Sequence, residues 1–251
     1  MDFTIQEYRK LLYTLKKQEY AFQTFEEFLI QPNSQAVILR HDVDLLPENS
    51  LRFAKIQHEL GVKGSYYFRA VPESWDEKIV LEIAEMGHEI GYHYETMDTA
   101  KGNVDIAMDQ FKQHLKSFRK LVKVNTICMH GSPLSKYDNK EIWEKYNYKE
   151  FGIIGEPYYD INYNQVYYLT DTGRKWDGYN VSVRDKVKTS FKQTFHTTDQ
   201  IIKALNNKEL PDQVMFTFHP QRWHDDYFSW TTELIGQNIK NIIKKFFYVK
   251  V

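Results

Sequence analysis

A short apolar run ending in a polar residue, followed by an amphipathic helix, is an order of elements that this chain repeats, and it constrains the fold more than any other feature. Ala36-Val37-Ile38-Leu39 is the first such run. A helix opening at Pro47 follows it, carries Leu51, Ala54, Ile56 and Leu60, and stops at Gly61 as a helix C-terminus should. Residues 64–68 form the second expected strand, a helix over about 73–86 closes at Gly87, and a short third strand lies around 89–92. A longer helix from Asn103 or Asp105 carries Met108, Phe111, Leu115, Phe118 and Val122 on one face, before a fourth strand at 124–129. The pattern continues through a helix near 139–146 and a fifth strand near 151–154. Expected strands at 165–169 and 179–183 flank the loop 170–178. A helix capped by Thr198 or Asp199, a buried strand at 213–218 and a helix over about 231–247 complete the series. Ahead of it, residues 3–30 read as one or two amphipathic helices.

Alternation of this kind implies a parallel sheet. Six to eight such units close most simply into a barrel, so the expected fold is α/β, a distorted (β/α)-barrel of about seven parallel strands. The 251 residues fit one such domain, with a helical segment at 1–34 outside the barrel proper. The conspicuous polar side chains fall at strand ends: Asp42, Asp44, Arg69, His93, His130 and His219. Parallel barrels place their active sites there because all the strand C-termini converge on one rim.

Composition removes several function classes. A formal net charge of −1 supplies no basic field for nucleic acid. The N-terminus has no basic region followed by an apolar run, and no segment approaches the roughly twenty apolar residues of a membrane span, which points to the cytoplasm and to no integral membrane segment. The single cysteine, Cys128, reads as part of a buried strand. Aromatic residues make up 16% of the chain, and Tyr158-Tyr159, Tyr163, Tyr167-Tyr168 and the stretch from Trp223 to Trp230 lie in polar surroundings. Rings in such places either stack on ligands such as sugars or pin loops down.

Two stretches carry the chemistry. Arg40-His41-Asp42-Val43-Asp44 ends an apolar strand in two carboxylates, and Gly87-His88-Glu89-Ile90-Gly91-Tyr92-His93-Tyr94-Glu95 packs two histidines and two glutamates between glycines. Carboxylate oxygen with imidazole nitrogen suits Zn²⁺ and other borderline divalent metals.

These two stretches, with Met215-Phe216-Thr217-Phe218-His219-Pro220, resemble the polysaccharide deacetylase superfamily, the NodB-homology fold of carbohydrate esterase family 4. The resemblance implies that Asp42 is the catalytic base, Asp44 and His93 are metal ligands, and His219 is the general acid. It also places Asp171, Arg174 and Trp176 near the family's fourth motif, where an Asp171–Arg174 pair either tunes His219 or Asp42 or only holds the loop in place. At the family's second histidine position stands Met97, a poor zinc partner, so the third ligand must come from elsewhere. His130 is preferred, with Glu95 and water as the alternatives, although the family carries an Arg-x-Pro segment at His130. Pro133 keeps part of that segment, and backbone N–H groups near Leu134 are candidates for an oxyanion site. The implied protein is a Zn²⁺-dependent (otherwise Co²⁺ or Ni²⁺) deacetylase of an N-acetylated sugar or polysaccharide intermediate in surface polysaccharide or lipopolysaccharide assembly. Two alternatives stay open: an amidohydrolase of a cyclic imide or ureide, and a carbohydrate-binding relative without catalysis. The sequence leaves the oligomeric state open.

Overall fold

The computed structural model describes residues 1–132, 135–176, 182 and 184–247, the side chains of 244–247 apart. Seven strands form one sheet: β1 (Ala21–Gln23), β2 (Ala36–Val43), β3 (Ser65–Phe68), β4 (Glu89–Tyr94), β5 (Ile127–Met129), β6 (Tyr167–Thr170) and β7 (Gln213–Phe218). The spatial order is β5-β4-β3-β2-β7-β6, and every pairing is parallel. The expected α/β architecture is present as a curled sheet wrapped by helices. Among the described residues β5 and β6 are not paired with each other, so the barrel is open on that side.

Strand β2 is the axis of the sheet. Its first half pairs with β1 through Ala21↔Ala36 to Gln23↔Ile38, its second half with β3 through Arg40↔Ser65 to Val43↔Phe68, and its other edge with β7. All eight of its residues are buried, as a central parallel strand requires. The period-2 alternation of a strand then assigns two fates. Val37, Leu39 and Val43 join the large apolar layer beneath the helices, with Tyr66, Phe68, Tyr92, Phe216 and Phe218 from neighbouring strands. Ala36 and Ile38 face the barrel interior with Tyr67, Cys128, Tyr168 and Met215. Arg40 and Asp42 continue that inward row toward the rim. Gly91 on β4 makes the filling feasible: a Cβ there would meet the Tyr67 ring at 2.3 Å.

Three sequence expectations are corrected. Residues 151–154 do not form a strand; a 3₁₀ turn, Tyr148–Phe151, ends at Gly152 with φ +69°, and only Gly155 bridges to Thr126. The apolar residues there pack as a turn rather than a ladder. Within 1–34 the helices Ile5–Lys17 and Phe25–Ile30 are separated by β1, which belongs to the sheet and was too short to show a period. The last helix begins earlier than expected, at Tyr227. Of the strand expected at 179–183, all but Ser182 lies outside the described residues.

Candidate functional site

The strand C-termini open into a cavity of about 830 Å³, whose lining includes Arg40, Asp42, Asp44, His93, His130 and His219. Five of the six sequence-selected residues therefore meet at one place, and each arrives on a different logic.

Asp42 projects inward from β2 and is gripped by its own strand. Arg40, two residues earlier and therefore on the same face, donates from Nε to Asp42 Oδ1 at 2.8 Å and from Nη2 to Oδ2 at 2.6 Å. Both side chains are buried, and Tyr158 lies beneath the guanidinium with its ring centroid 5.2 Å away. Breaking such a buried pair from one side costs about 3–5 kcal/mol, because a charge is left without a partner. The arginine that holds the first aspartate thus sits on β2.

Asp44 follows β2 and is turned over the rim. Its main-chain carbonyl accepts from Arg69 at 2.9 Å, and its Oδ2 accepts from Gln221 at 3.1 Å. The other oxygen, Oδ1, is buried without a hydrogen-bond partner. Two imidazole Nε2 atoms face it, those of His93 and His130, each at 3.6 Å. Burial pushes Asp44 upward, but the surrounding His93, His130 and His219 outweigh it and hold the carboxyl well below its ordinary value.

The histidines are oriented by their other nitrogens. His93, near the end of β4, donates from Nδ1 to the Cys128 carbonyl at 3.0 Å, which leaves Nε2 aimed at Asp44 and, at 3.7 Å, at Asp42. His130, just past β5, donates from Nδ1 to Glu95 Oε2 at 2.8 Å. Glu95 is itself clamped by Arg69 through two bonds of 3.1 and 2.8 Å. Burial raises the Glu95 carboxyl, yet His130 and Arg69 together bring it down to about 2. A carboxylate behind a histidine whose far nitrogen is free is the arrangement that orients metal-ligating histidines. Glu95 therefore stands behind His130 instead of replacing it. His219, following β7, donates from Nδ1 to Asp171 Oδ1 at 2.5 Å and presents Nε2 to Asp44 Oδ2 at 3.9 Å. Asp171 is fully buried and also accepts from the His219 N–H, Trp223 Nε1 and Arg222.

Ligand atoms of Asp44, His93 and His130 lie within 4.8 Å of one another. Asp42, His93 and Cys128 also satisfy that distance, but burial pushes the Cys128 thiol far up and Arg40 occupies Asp42. The first set fits a divalent cation better: it offers an unpartnered buried carboxylate oxygen and two imidazole nitrogens whose tautomers are fixed from behind.

Other sequence candidates are placed elsewhere. Arg174 donates to the Trp230 carbonyl at 2.8 Å and lies over the Phe3 and Trp230 rings; Arg222 is the arginine that reaches Asp171. Met97 is buried in the apolar layer, with its N–H on Asn139 Oδ1. Pro133 and Leu134, and with them the expected oxyanion donors, lie outside the described residues. Among the aromatics Tyr137 and Tyr158 line the cavity, whereas Trp223 is fully buried beside Phe3, Tyr8 and Phe53.

Asp185 went unnoticed in the sequence. It is the hub of the far cavity wall, accepting from Tyr158 at 2.8 Å, Thr170 and Thr172 at 2.6 Å each, and Tyr168. Burial acts to raise its carboxyl, but Arg40, His219 and these hydroxyls hold it low. Its only sequence signal was a charge inside Val183-Arg184-Asp185-Lys186, which reads as a solvated loop.

No family model matches the chain, and no curated protein matches it in sequence. Solved structures do. BA3943, a CE4 family pseudoenzyme from Bacillus anthracis, is 17% identical over 87% of this chain with a TM-score of 0.48; this chain spans 63% of its length. A Streptococcus mutans CE4 esterase is 15% identical with a TM-score of 0.46, covering 93% of this chain and 92% of its own. Bacillus subtilis PdaA, a family 4 carbohydrate esterase, is 12% identical with a TM-score of 0.41, covering 92% and 83%. Each of these three structures is described as belonging to carbohydrate esterase family 4, the family that the chain's motifs resemble.

Proposed function

We propose that the protein is a metal-dependent hydrolase that removes the acetyl group from an N-acetylated sugar intermediate of surface-polysaccharide assembly. One observation carries this reading: the buried, unpartnered Asp44 Oδ1 faced by the oriented Nε2 atoms of His93 and His130. Those three residues would hold the cation, Zn²⁺ by donor type. When bound, such an ion lowers the pKa of water toward about 7 and polarises an amide carbonyl.

The chain's own residues divide the remaining work. Asp42, held in one orientation by Arg40, accepts the proton of the water that adds to the amide carbon. His219, fixed by Asp171, gives a proton to the nitrogen as the C–N bond breaks, so acetate and a free amine leave. Tyr137 and Tyr158 offer apolar faces in a cavity large enough for a sugar and its substituent. Asp185 keeps Tyr158 in place and so indirectly supports Arg40.

Elemental analysis of protein purified without chelator or histidine tag tests the reading, beside Asp44→Ala and His93→Ala. About one equivalent of a transition metal, lost in both variants, with acetate released from an N-acetylated nucleotide sugar, is the expected result. Absence of metal after adding Zn²⁺, Co²⁺ or Ni²⁺ would overturn the hydrolase and leave a carbohydrate-binding protein.

A further inference from the structure

Two buried, unpartnered atoms of the cavity wall belong to side chains joined by a single hydrogen bond. Gln221 donates from Nε2 to Asp44 Oδ2 at 3.1 Å, and its own Oε1 is left buried without a partner, as Asp44 Oδ1 is. Both residues line the cavity, and Gln221 is 7% exposed. A carboxylate offers only acceptors, so the nitrogen end of the amide must face Asp44. The orphan at the other end is therefore an acceptor by chemistry, whatever the ligand.

The backbone holds that acceptor still. Gln221 is the middle residue of the 3₁₀ turn Pro220–Arg222, which follows His219. The Arg222 N–H returns to the His219 carbonyl at 2.9 Å, and His224 Nε2 donates to the Gln221 carbonyl at 2.9 Å. This stretch thus carries both the imidazole whose Nε2 lies 3.9 Å from Asp44 Oδ2 and the amide that bonds the same oxygen. A buried acceptor left unmade is costly, and native proteins complete it with a protein group, a water or a ligand. Among the described residues nothing completes this one. Asp44 Oδ1 is a charged oxygen faced by two imidazoles and suits a cation, whereas Gln221 Oε1 is neutral and suits an N–H or O–H donor.

We propose that Gln221 is a specificity residue that accepts the N–H of the substrate's acetamido group, so that the site selects an amide over the matching ester. This role rests on the hydrolase reading of the same cavity and adds to it the bond that is recognised. With its N–H on Gln221, the nitrogen keeps its other face for the proton from His219, two residues earlier in the chain. An ester presents a lone pair in place of the N–H and leaves Oε1 unpaired. Sites built around a substrate's hydrogen bond reject analogues that lack it for this reason.

The test compares the methyl glycoside of N-acetylglucosamine with the glucoside carrying an O-acetyl group at the same carbon. Ligand-observed NMR on the full chain as purified reads binding directly and turnover from the acetate signal. Esters are intrinsically the more labile, so the quantity read is the change in the amide-to-ester ratio between parent and variant. Gln221→Met removes the acceptor and should lower that ratio about tenfold or more, in binding and in kcat/KM, by weakening the amide alone. Gln221→Glu keeps an acceptor but gives up the donor to Asp44, and should retain the ratio even where metal affinity falls. A ratio unchanged in Gln221→Met, or lowered equally in both variants, overturns the proposal, since Gln221 would then only steady Asp44 or hold a water. A parent that binds neither glycoside overturns it as well. A parent that binds with the expected selectivity and releases no acetate upholds the role of Gln221 in binding and sinks the hydrolase reading instead.

Discussion

His41 and His88 lie deep in the sheet–helix layers, whereas His93, His130 and His219 ring the barrel mouth, and the two groups spend their nitrogens differently. In the first, both are taken by the protein. His41 donates from Nδ1 to the Ser65 carbonyl and accepts at Nε2 from Tyr8 and Gln57; His88 accepts from the Gly64 N–H and donates to the Ala54 carbonyl. Burial lowers their pKa values, to about 3 and about 4, so both are neutral members of the core. In the second group each Nδ1 is anchored and each Nε2 is left facing Asp44. Residue type does not separate the groups. The spare, oriented nitrogen does, and it marks where a ligand belongs.

The sharpest way to break that distinction is at its focus. Asp44→Ala removes the oxygen that both imidazoles face, and a metal affinity at least 10³-fold weaker is expected by competition with a chromophoric chelator. Unchanged affinity would mean that the spare nitrogens serve something else. Asp42→Asn tests the inward row separately: turnover should fall by about 10²–10⁴-fold while metal content stays near that of the parent. Loss of metal in this variant would make Asp42 a ligand and dissolve the division of roles between the two aspartates.

A milder change probes the support behind the ring. Glu95→Gln keeps the shape but removes the negative charge behind His130 and the partner of Arg69. Metal affinity should drop by about 10–100-fold with the metal site otherwise intact. An affinity equal to the parent's would show that His130 needs no such support.

How legible this was in the sequence follows from the same contrast. Asp42, Asp44 and His93 were found because they sit at the ends of apolar runs, where period and polarity change together, and His219 for the same reason. Their partners are another matter. Asp171, Glu95 and Arg69 were singled out as residues, but which side chains they hold is set by tertiary contacts, and Asp185 collects hydroxyls from Tyr158, β6 and the following loop. No local pattern encodes such convergence. β1 was missed because three residues carry no period, and the run 151–154 was read as a strand because composition alone does not distinguish a strand from apolar residues closing a turn. The grip of Arg40 on Asp42 was readable in principle, since i and i+2 on a strand share a face.

The core histidines give the smallest effect and a test with a definite sign. His41 has a folded pKa of about 3 against an ordinary value near 6.5, so between those values the unfolded chain binds a proton that the native protein refuses. Its contribution is complete above about pH 6.5 and is lost as pH falls toward 3, at up to about 1.4 kcal/mol per pH unit. Glu156, raised to about 7 by burial, works in the opposite direction, losing stability as pH rises from its ordinary value through 7, so the parent's pH curve alone is ambiguous. The difference between parent and His41→Gln isolates the histidine. Glutamine keeps donor and acceptor capacity near Tyr8 and Gln57 but does not titrate, so urea melts in the presence of chelator should show the parent's disadvantage growing by about 1 kcal/mol between pH 6.5 and 5.5. A difference that stays flat across that window would mean that burial does not keep the proton off His41 in the native protein.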